Sequence, residues 1–298
     1  MKLHRLLLAI SIGFVIALAL TFCSSAFAGW TNPAAQNVGV TGTGQQIAYG
    51  PDGRHTLVWS NGRIQMRRFS ADGNGDAVSP ISNPGNSAIS PQVAFGPDNS
   101  STIVWQEFTG SGFVIKAVQL DPGGLLGSIL TLSSGSSTSQ QPMLAYSPDG
   151  TVTVTWNRAD FGSSLYEYSR IDSSGSASFP VSFDSTSVNA GPAPVAYDAD
   201  GNSAIVWQAY NGSHTVTKLA RWDSDNNPIG STTQLSENLR NSFDPRFAYA
   251  PDGSATAVWS EFIGSQYDIR ASRIATDGTV AAATTLSPAG VTLSSREP

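Results

Sequence analysis

Apolar residues in this chain come in short bursts that recur at a long, nearly constant interval. Five bursts have the same form: Gln46-Ile47-Ala48-Tyr49, Gln92-Val93-Ala94-Phe95, Met143-Leu144-Ala145-Tyr146, Pro194-Val195-Ala196-Tyr197 and Arg246-Phe247-Ala248-Tyr249. In each, large apolar side chains flank an alanine, so the period is two and the element predicted is a β-strand whose Ala face allows a neighbouring backbone close approach. A second burst ends on tryptophan in every case: Leu57-Val58-Trp59, Ile103-Val104-Trp105, Val154-Thr155-Trp156, Ile205-Val206-Trp207 and Ala257-Val258-Trp259. These runs are apolar at nearly every position, the pattern of a strand covered on both faces.

Between the two bursts lies a polar turn, as in Pro51-Asp52-Gly53 or Pro148-Asp149-Gly150. Proline fixes φ, aspartate bonds the backbone downstream, and glycine supplies a positive φ; Asn99 takes the glycine position in the second copy. Pro91, Pro142, Pro194 and Pro245 stand at or just before the first strand, where a missing donor is tolerated. A third apolar run (Ile64 to Phe69, Ile115 to Leu120, Tyr166 to Ile171, Thr217 to Trp222, Ile269 to Ile274) and a shorter fourth (around Ile81, Leu132, Val181, Leu235 and Leu286) complete each unit. Nowhere does a helical period of 3.6 emerge.

The turn aspartates Asp52, Asp98, Asp149, Asp200 and Asp252 mark a period of about 50 residues, and repetition on that scale is the signature of a repeat architecture. Four antiparallel strands per unit and five units predict an all-β fold, a five-bladed β-propeller of four-stranded blades. The repeats run approximately 45–90, 91–141, 142–193, 194–244 and 245–297, within a single domain of residues 29–298. Trp30 to Val40 aligns with a fourth strand, so six candidate fourth strands serve five sets of the first three.

Residues 1–28 read differently. Lys2, His4 and Arg5 precede an apolar core from Leu6 to Leu20, and Ala26-Phe27-Ala28 forms a small-x-small cleavage site. This is the pattern of a secretory signal peptide, which predicts an exported protein, whether secreted, periplasmic or at the cell surface. Cys23, the only cysteine, lies inside it, so the chain after Ala28 has no thiol to form a disulfide. Removal of Lys2 and Arg5 leaves 14 basic against 22 acidic residues, a formal charge of −8. An acidic chain without a basic stripe argues against nucleic acid as a partner. No later segment is apolar for long enough to predict an integral membrane helix.

The units, most clearly Pro142 to Trp156, carry the pattern P-x-[VL]-A-[FY]-S-P-D-G followed by an apolar strand. This resembles the WD-like propeller repeats of bacterial exported proteins, among them the periplasmic propeller of the Tol–Pal system. The resemblance covers residues 45 to about 290 and implies fold and export. It carries across no functional residue, since the chain has five units and no additional α/β domain.

Candidate chemistry is weighed against this repetition. Trp59, Trp105, Trp156, Trp207 and Trp259 are expected to be packing anchors between blades rather than a sugar-stacking ring, and the five turn aspartates to be turn-formers. Arg68, Arg170, Arg221 and Arg273 recur in register on the third strand, with Gln119 in the odd copy, which favours structural pairing over convergence on one substrate. Asp72-x-Asn74-x-Asp76 and Asp223-x-Asp225-x-Asn227 space oxygens as in a calcium loop but lack the twelfth-position glutamate. With His55 and His214 alone after the leader, zinc is disfavoured. No metal and no cofactor is therefore expected.

What varies between blades is the stretch after the tryptophan. Blades two, four and five place an acid or amide beside an aromatic there, which gives Glu107, Phe108, Tyr210, Asn211, Glu261 and Phe262 as candidate ligand-binding residues. No blade carries a unique acid–base or nucleophile set, so no catalytic residue is assigned. The expectation drawn is an exported non-enzymatic binding protein, a glycan-binding module or a platform for another exported protein. The alternative is a five-bladed glycoside hydrolase-like or sialidase-like enzyme, which needs two carboxylates on the binding face.

Overall fold

The computed structural model describes residues 42–135, 137–160, 162–186 and 190–287. The leader and the Trp30 to Val40 stretch lie outside the described residues. Within them, no helix is long and apolar enough to cross a membrane.

Among the described residues, twenty strands form five separate four-stranded sheets, each a meander whose strands pair in sequence order. All pairings are antiparallel. The first strands are Thr43–Tyr49, Ala88–Phe95, Ser139–Tyr146, Val195–Tyr197 and Ser242–Tyr249. They adjoin one another from blade one through to blade five and line the axis. The architecture is the five-bladed propeller that the repeats predict.

The turn chemistry is as the sequence demands. Gly53, Asn99, Gly150, Gly201 and Gly253 all have positive φ, from 66° at Asn99 to 86° at Gly150. Asp52, Asp98, Asp149 and Asp252 each accept the backbone N–H two residues on, at 2.8–3.0 Å. In blade four that role moves to Asp198, which accepts the N–H groups of Asp200 and Asn202.

Two element boundaries differ from the sequence expectation. In blades one, two, three and five the first strand begins three to four residues before the apolar burst and contains a β-bulge, between Ile89 and Gln92 in blade two and between Phe243 and Arg246 in blade five. Pro91, Pro142 and Pro245 therefore sit inside the strand, where the bulge removes the need for their donor. The second strand also runs past the tryptophan, to Phe108 in blade two, Tyr210 in blade four and Ile263 in blade five.

Packing follows from the tryptophans. Four apolar clusters each join the front of one blade to the back of the next, and each contains the later blade's tryptophan: Trp105 with Val58, Ile64 and Met66, Trp156 with Val104 and Ile115, Trp207 with Tyr166 and Tyr168, Trp259 with Val206 and Leu219. All four are at most 1 % exposed. Trp59 is also buried but belongs to none of these clusters, and no apolar cluster among the described residues joins blade five to blade one.

Candidate functional site

One end of the propeller collects the loops between second and third strands and the connections from each fourth strand to the next blade. The bulges of the first strands lie at this same end. Gly44, Ser90, Gln141 and Asp244, at the bulges of blades one, two, three and five, all have positive φ, between 51° and 64°. For three non-glycine residues this is a strained conformation, held only where surrounding contacts over-determine it. At Gln141 and Asp244 the contact comes from the amide that follows the tryptophan of the preceding blade: Gln106 Oε1 accepts from Gln141 N–H and Gln208 Oε1 from Asp244 N–H, both at 2.9 Å. Gln106 and Gln208 thus fix the axial lining of the blade that follows each of them.

Period two, counted on from the tryptophan, places Glu107 and Glu261 on the same face as the indole. Glu107 is 1 % exposed. Its carboxylate accepts from Asn83 Nδ2 (2.8 Å), Asn86 Nδ2 (3.2 Å) and Trp105 Nε1 (3.1 Å). Burial pushes the Glu107 carboxyl up, but the donors of Asn83, Trp105 and Asn86 together hold it below the ordinary glutamate value. Carboxylates meet the indoles of blades three and four as well: Trp156 Nε1 donates to Glu167 at 2.9 Å and Trp207 Nε1 to Asp184 at 2.7 Å.

Blade five departs from this. Glu261 is fully buried, with one oxygen 3.5 Å from Arg240 Nη1 and 3.5 Å from Arg270 Nε, and Oε1 and the Trp259 indole have no hydrogen-bond partner. Both arginines also approach half-exposed Glu237, at 3.6 and 3.5 Å. Asp268 lies directly across the strand pair from Glu261, so the two carboxylates point to the same face. Together with half-buried Asp244, one blade end carries four carboxylates and two guanidiniums.

The remaining candidates are placed as follows. Phe108 is 39 % exposed and tilted against Phe113, with ring centroids 5.4 Å apart; Phe262 is half-buried against Tyr267 at 5.2 Å. Tyr210 is 38 % exposed. The Asn211 side chain accepts the N–H groups of Ser213 and His214 and donates to Asn238 O, so it shapes the loop that presents Tyr210. Sequence reasoning missed Glu237, Arg240, Asp244, Asp268 and Arg270. Four of them precede or follow the tryptophan strand by more than five residues, and only the sheet register brings them to Glu261.

The other groups serve the scaffold. Arg68 Nη1 donates to Gly123 O of the next blade at 2.9 Å. Asp72 accepts from Ser70 and Asn74, and Asp223 from Asn227, all within their own turns. Among the described residues no group of three or more His, Cys, Asp or Glu side chains could hold a metal ion.

Neither a protein-family model nor a curated protein matches the chain. Solved structures do. A protein of unknown function from Dyadobacter fermentans superposes with a TM-score of 0.57 at 13% identity, over 86% of each chain. The Hadza microbial sialidase Hz136 gives 0.54 at 12% identity, over 82% of this chain and 58% of the sialidase. The α-L-arabinofuranosidase of Fusarium graminearum, solved with arabinobiose, gives 0.52 at 14% identity, over 81% and 79%. At these identities the likeness is one of fold. It corrects the expectation of a non-enzymatic binding protein: the similar structures of stated activity include glycoside hydrolases, so the enzyme alternative is the better-supported reading. Of the resemblance to Tol–Pal propeller repeats, the propeller fold is what the structure bears out.

Proposed function

We propose that this protein is a glycan-cleaving enzyme, a glycoside hydrolase on a five-bladed propeller, working at the end that carries the second-to-third-strand loops. The observation that carries the reading is the concentration of Glu237, Asp244, Glu261 and Asp268 at that end of blade five, in a fold shared with a sialidase and an arabinofuranosidase. Glycoside hydrolysis by paired carboxylates requires two carboxyl groups about 5–9.5 Å apart, one to protonate the leaving oxygen and one to act as base or nucleophile. Glu261, buried against two guanidiniums, is the support for the pair rather than a member of it. Glu237, half-exposed between the same arginines, supplies the base or nucleophile, and Asp268 supplies the proton. Phe108, Tyr210 and Phe262 offer ring faces on which sugars stack. A leader at residues 1–28 fits an extracellular polysaccharide as substrate.

The test is turnover. Purified protein is incubated with arabinan, an aryl arabinofuranoside and a sialoside, and released sugar is quantified. Cleavage of at least one is expected, with kcat lowered about 100-fold or more by Glu237→Gln and by Asp268→Asn at unchanged melting temperature. No cleavage of any substrate, or full turnover in both variants, overturns the reading.

A further inference from the structure

The outermost strands of the blades are short, with one exception. Blades one, two, four and five end on two-residue fourth strands, whereas that of blade three runs Val181–Thr186. Its pairing skips one residue: Glu167 faces Ser182 and Tyr166 faces Asp184, which leaves Phe183 as the extra residue of a β-bulge. A bulge re-aims the side chain it carries, and here Phe183 meets Trp207 and Trp222 of blade four. The same register position in blades one, two and four holds a buried aliphatic, Ile81, Leu132 or Leu235.

Trp222 is the second departure. It ends the third strand of blade four, where blades two, three and five have Leu120, Ile171 and Ile274, each bridged like it to the following turn. Those three are at most 2 % exposed, and Trp222 is only half-buried. Its indole lies at 83° to Phe183 and at 59° to Tyr168, with ring centroids 6.2 Å apart in both cases. Rings set at these angles leave open a cleft of about 260 Å³ on the propeller wall, between blade three and the turn of blade four that contains Pro228 and Gly230. Buried Tyr168 accepts from Asn226 Nδ2 at 3.3 Å and so holds that turn in place. Ser182, Ser231 and Thr232 line the mouth, all exposed. Val181 at the rim and Phe179 two residues before it are 44 % and 92 % exposed.

Among the described residues no charge points into this cleft. Ala220 and Trp222 face blade three, so alternation turns Arg221 the other way, and its guanidinium lies against Gly278 of blade five. Nearby Asp184 is engaged by Trp207 Nε1 at 2.7 Å and Lys218 Nζ at 3.3 Å.

We propose that the cleft is a secondary glycan-binding site, holding one sugar ring of a neutral polysaccharide on the wall between blades three and four. A polysaccharide as guest rests on the glycan-cleaving function proposed above. The chemistry of the cleft narrows it. The aromatic corner offers a π face to the C–H side of a sugar ring, and the hydroxyls at the mouth match the ring's own. A lining without a facing cation leaves an acidic sugar uncompensated. A protein partner needs roughly 800 Å² of surface on each side, whereas the apolar area here is one ring-sized cleft bordered by serine, threonine and glycine. The third strand of blade four, Thr215–Trp222, separates the cleft from the reacting end by about 25 Å. The two sites therefore hold different parts of one long chain, and each raises the other's effective affinity.

Gel retardation tests this in a Glu237→Gln background, which keeps the probe intact. Native gels contain arabinan, galactan or xylan as neutral probes and polygalacturonate as the acidic one. At least one neutral probe should retard the protein, and Trp222→Ala and Ser231→Glu should each weaken the retardation about fivefold. Ser231→Glu changes only the exposed mouth, so it keeps the parent melting temperature and decides the matter should Trp222→Ala fail to fold. Retardation by no neutral probe, by polygalacturonate alone, or equally in Ser231→Glu and its parent overturns the proposal. So does a dimer in sedimentation that Ser231→Glu dissociates. Turnover, with Glu237 restored, is a separate arm. Ser231→Glu should raise KM for a cleaved polymer several-fold at unchanged kcat and leave kcat/KM on an aryl arabinofuranoside as it was. Retardation without any turnover would uphold the cleft and remove the catalytic reading; turnover with no retardation would do the reverse.

Discussion

Blades two and five write the same short phrase, Trp105-Gln-Glu107 and Trp259-Ser-Glu261, and fold it into the same place, yet the two glutamates live in different chemistries. Glu107 meets neutral donors from the loop that precedes its blade, Asn83 and Asn86, and from its own indole. At the corresponding loop positions blade five has Glu237 and Arg240, and Glu261 meets guanidiniums at longer range while its indole goes unbonded. The first arrangement is saturated. The second keeps a surplus of charge and open hydrogen-bonding capacity, which is what a strut does not need and a reaction site does.

The largest expected effect separates the two blades by their cations. Arg270→Ala leaves Glu261 buried with only the partly exposed Arg240 for company, and loss of one partner from a buried ion pair costs about 3–5 kcal/mol. The counterpart in blade two is Lys116, which bonds Thr131 and not the glutamate. Lys116→Ala is therefore expected to change stability by less than about 0.5 kcal/mol. Urea unfolding of both variants checks the difference; equal losses would remove the distinction between an ionic and a neutral clamp.

Next comes Glu107→Gln. The amide cannot accept from Asn83, Asn86 and Trp105 at once, and the loss is expected to be about 1–3 kcal/mol near neutral pH. The same substitution tests the acid limb. The Glu107 carboxyl is held below its ordinary value by Asn83, Trp105 and Asn86 against the opposing push of burial. Its contribution is therefore complete above the unfolded glutamate value and is lost as pH falls through the lower folded one. The gap between the native protein and Glu107→Gln should narrow on acidification, as read from melting temperatures across that range. A gap constant with pH would mean that the carboxylate charge is not what the amides hold.

How much of this was legible in the sequence follows from the period of each feature. The five strand–turn–strand units and the positive-φ turns repeat in register, and the fold obeys them residue by residue. Glu107 and Glu261 fall in a loop when the strand is ended at the tryptophan. Counting two more positions puts them on the buried indole face, and the apolar-to-polar change at Gln106 hid that continuation. The bulges were invisible for the opposite reason. Pro91 and Pro245 signal a strand start, and only the pairing shows that the chain was already in the sheet. The set around Glu261 is gathered from a preceding loop and a third strand, so no window on the chain contains it. Asp198 capping a turn whose aspartate is Asp200 shows the same thing on a smaller scale: local pattern names the turn, and geometry chooses the acceptor.

The finest test of the comparison removes a single N–H. Trp105→Phe takes away the indole donor to Glu107 together with part of a ring packed against Val58, Ile64 and Met66. Trp259→Phe removes a similar volume from the cluster with Val206 and Leu219 but no hydrogen bond, since Trp259 Nε1 has no partner. The packing terms are alike and cancel in the difference. What remains is one charge-assisted hydrogen bond, about 1.5–3 kcal/mol, by which Trp105→Phe should be the more destabilising. Paired Glu107→Gln and Glu261→Gln backgrounds sharpen it. Coupling between Trp105 and Glu107 should be of that size, and coupling between Trp259 and Glu261 close to zero, in a double-mutant cycle. Equal coupling in the two blades would show that Glu261 bonds its indole in solution as Glu107 does.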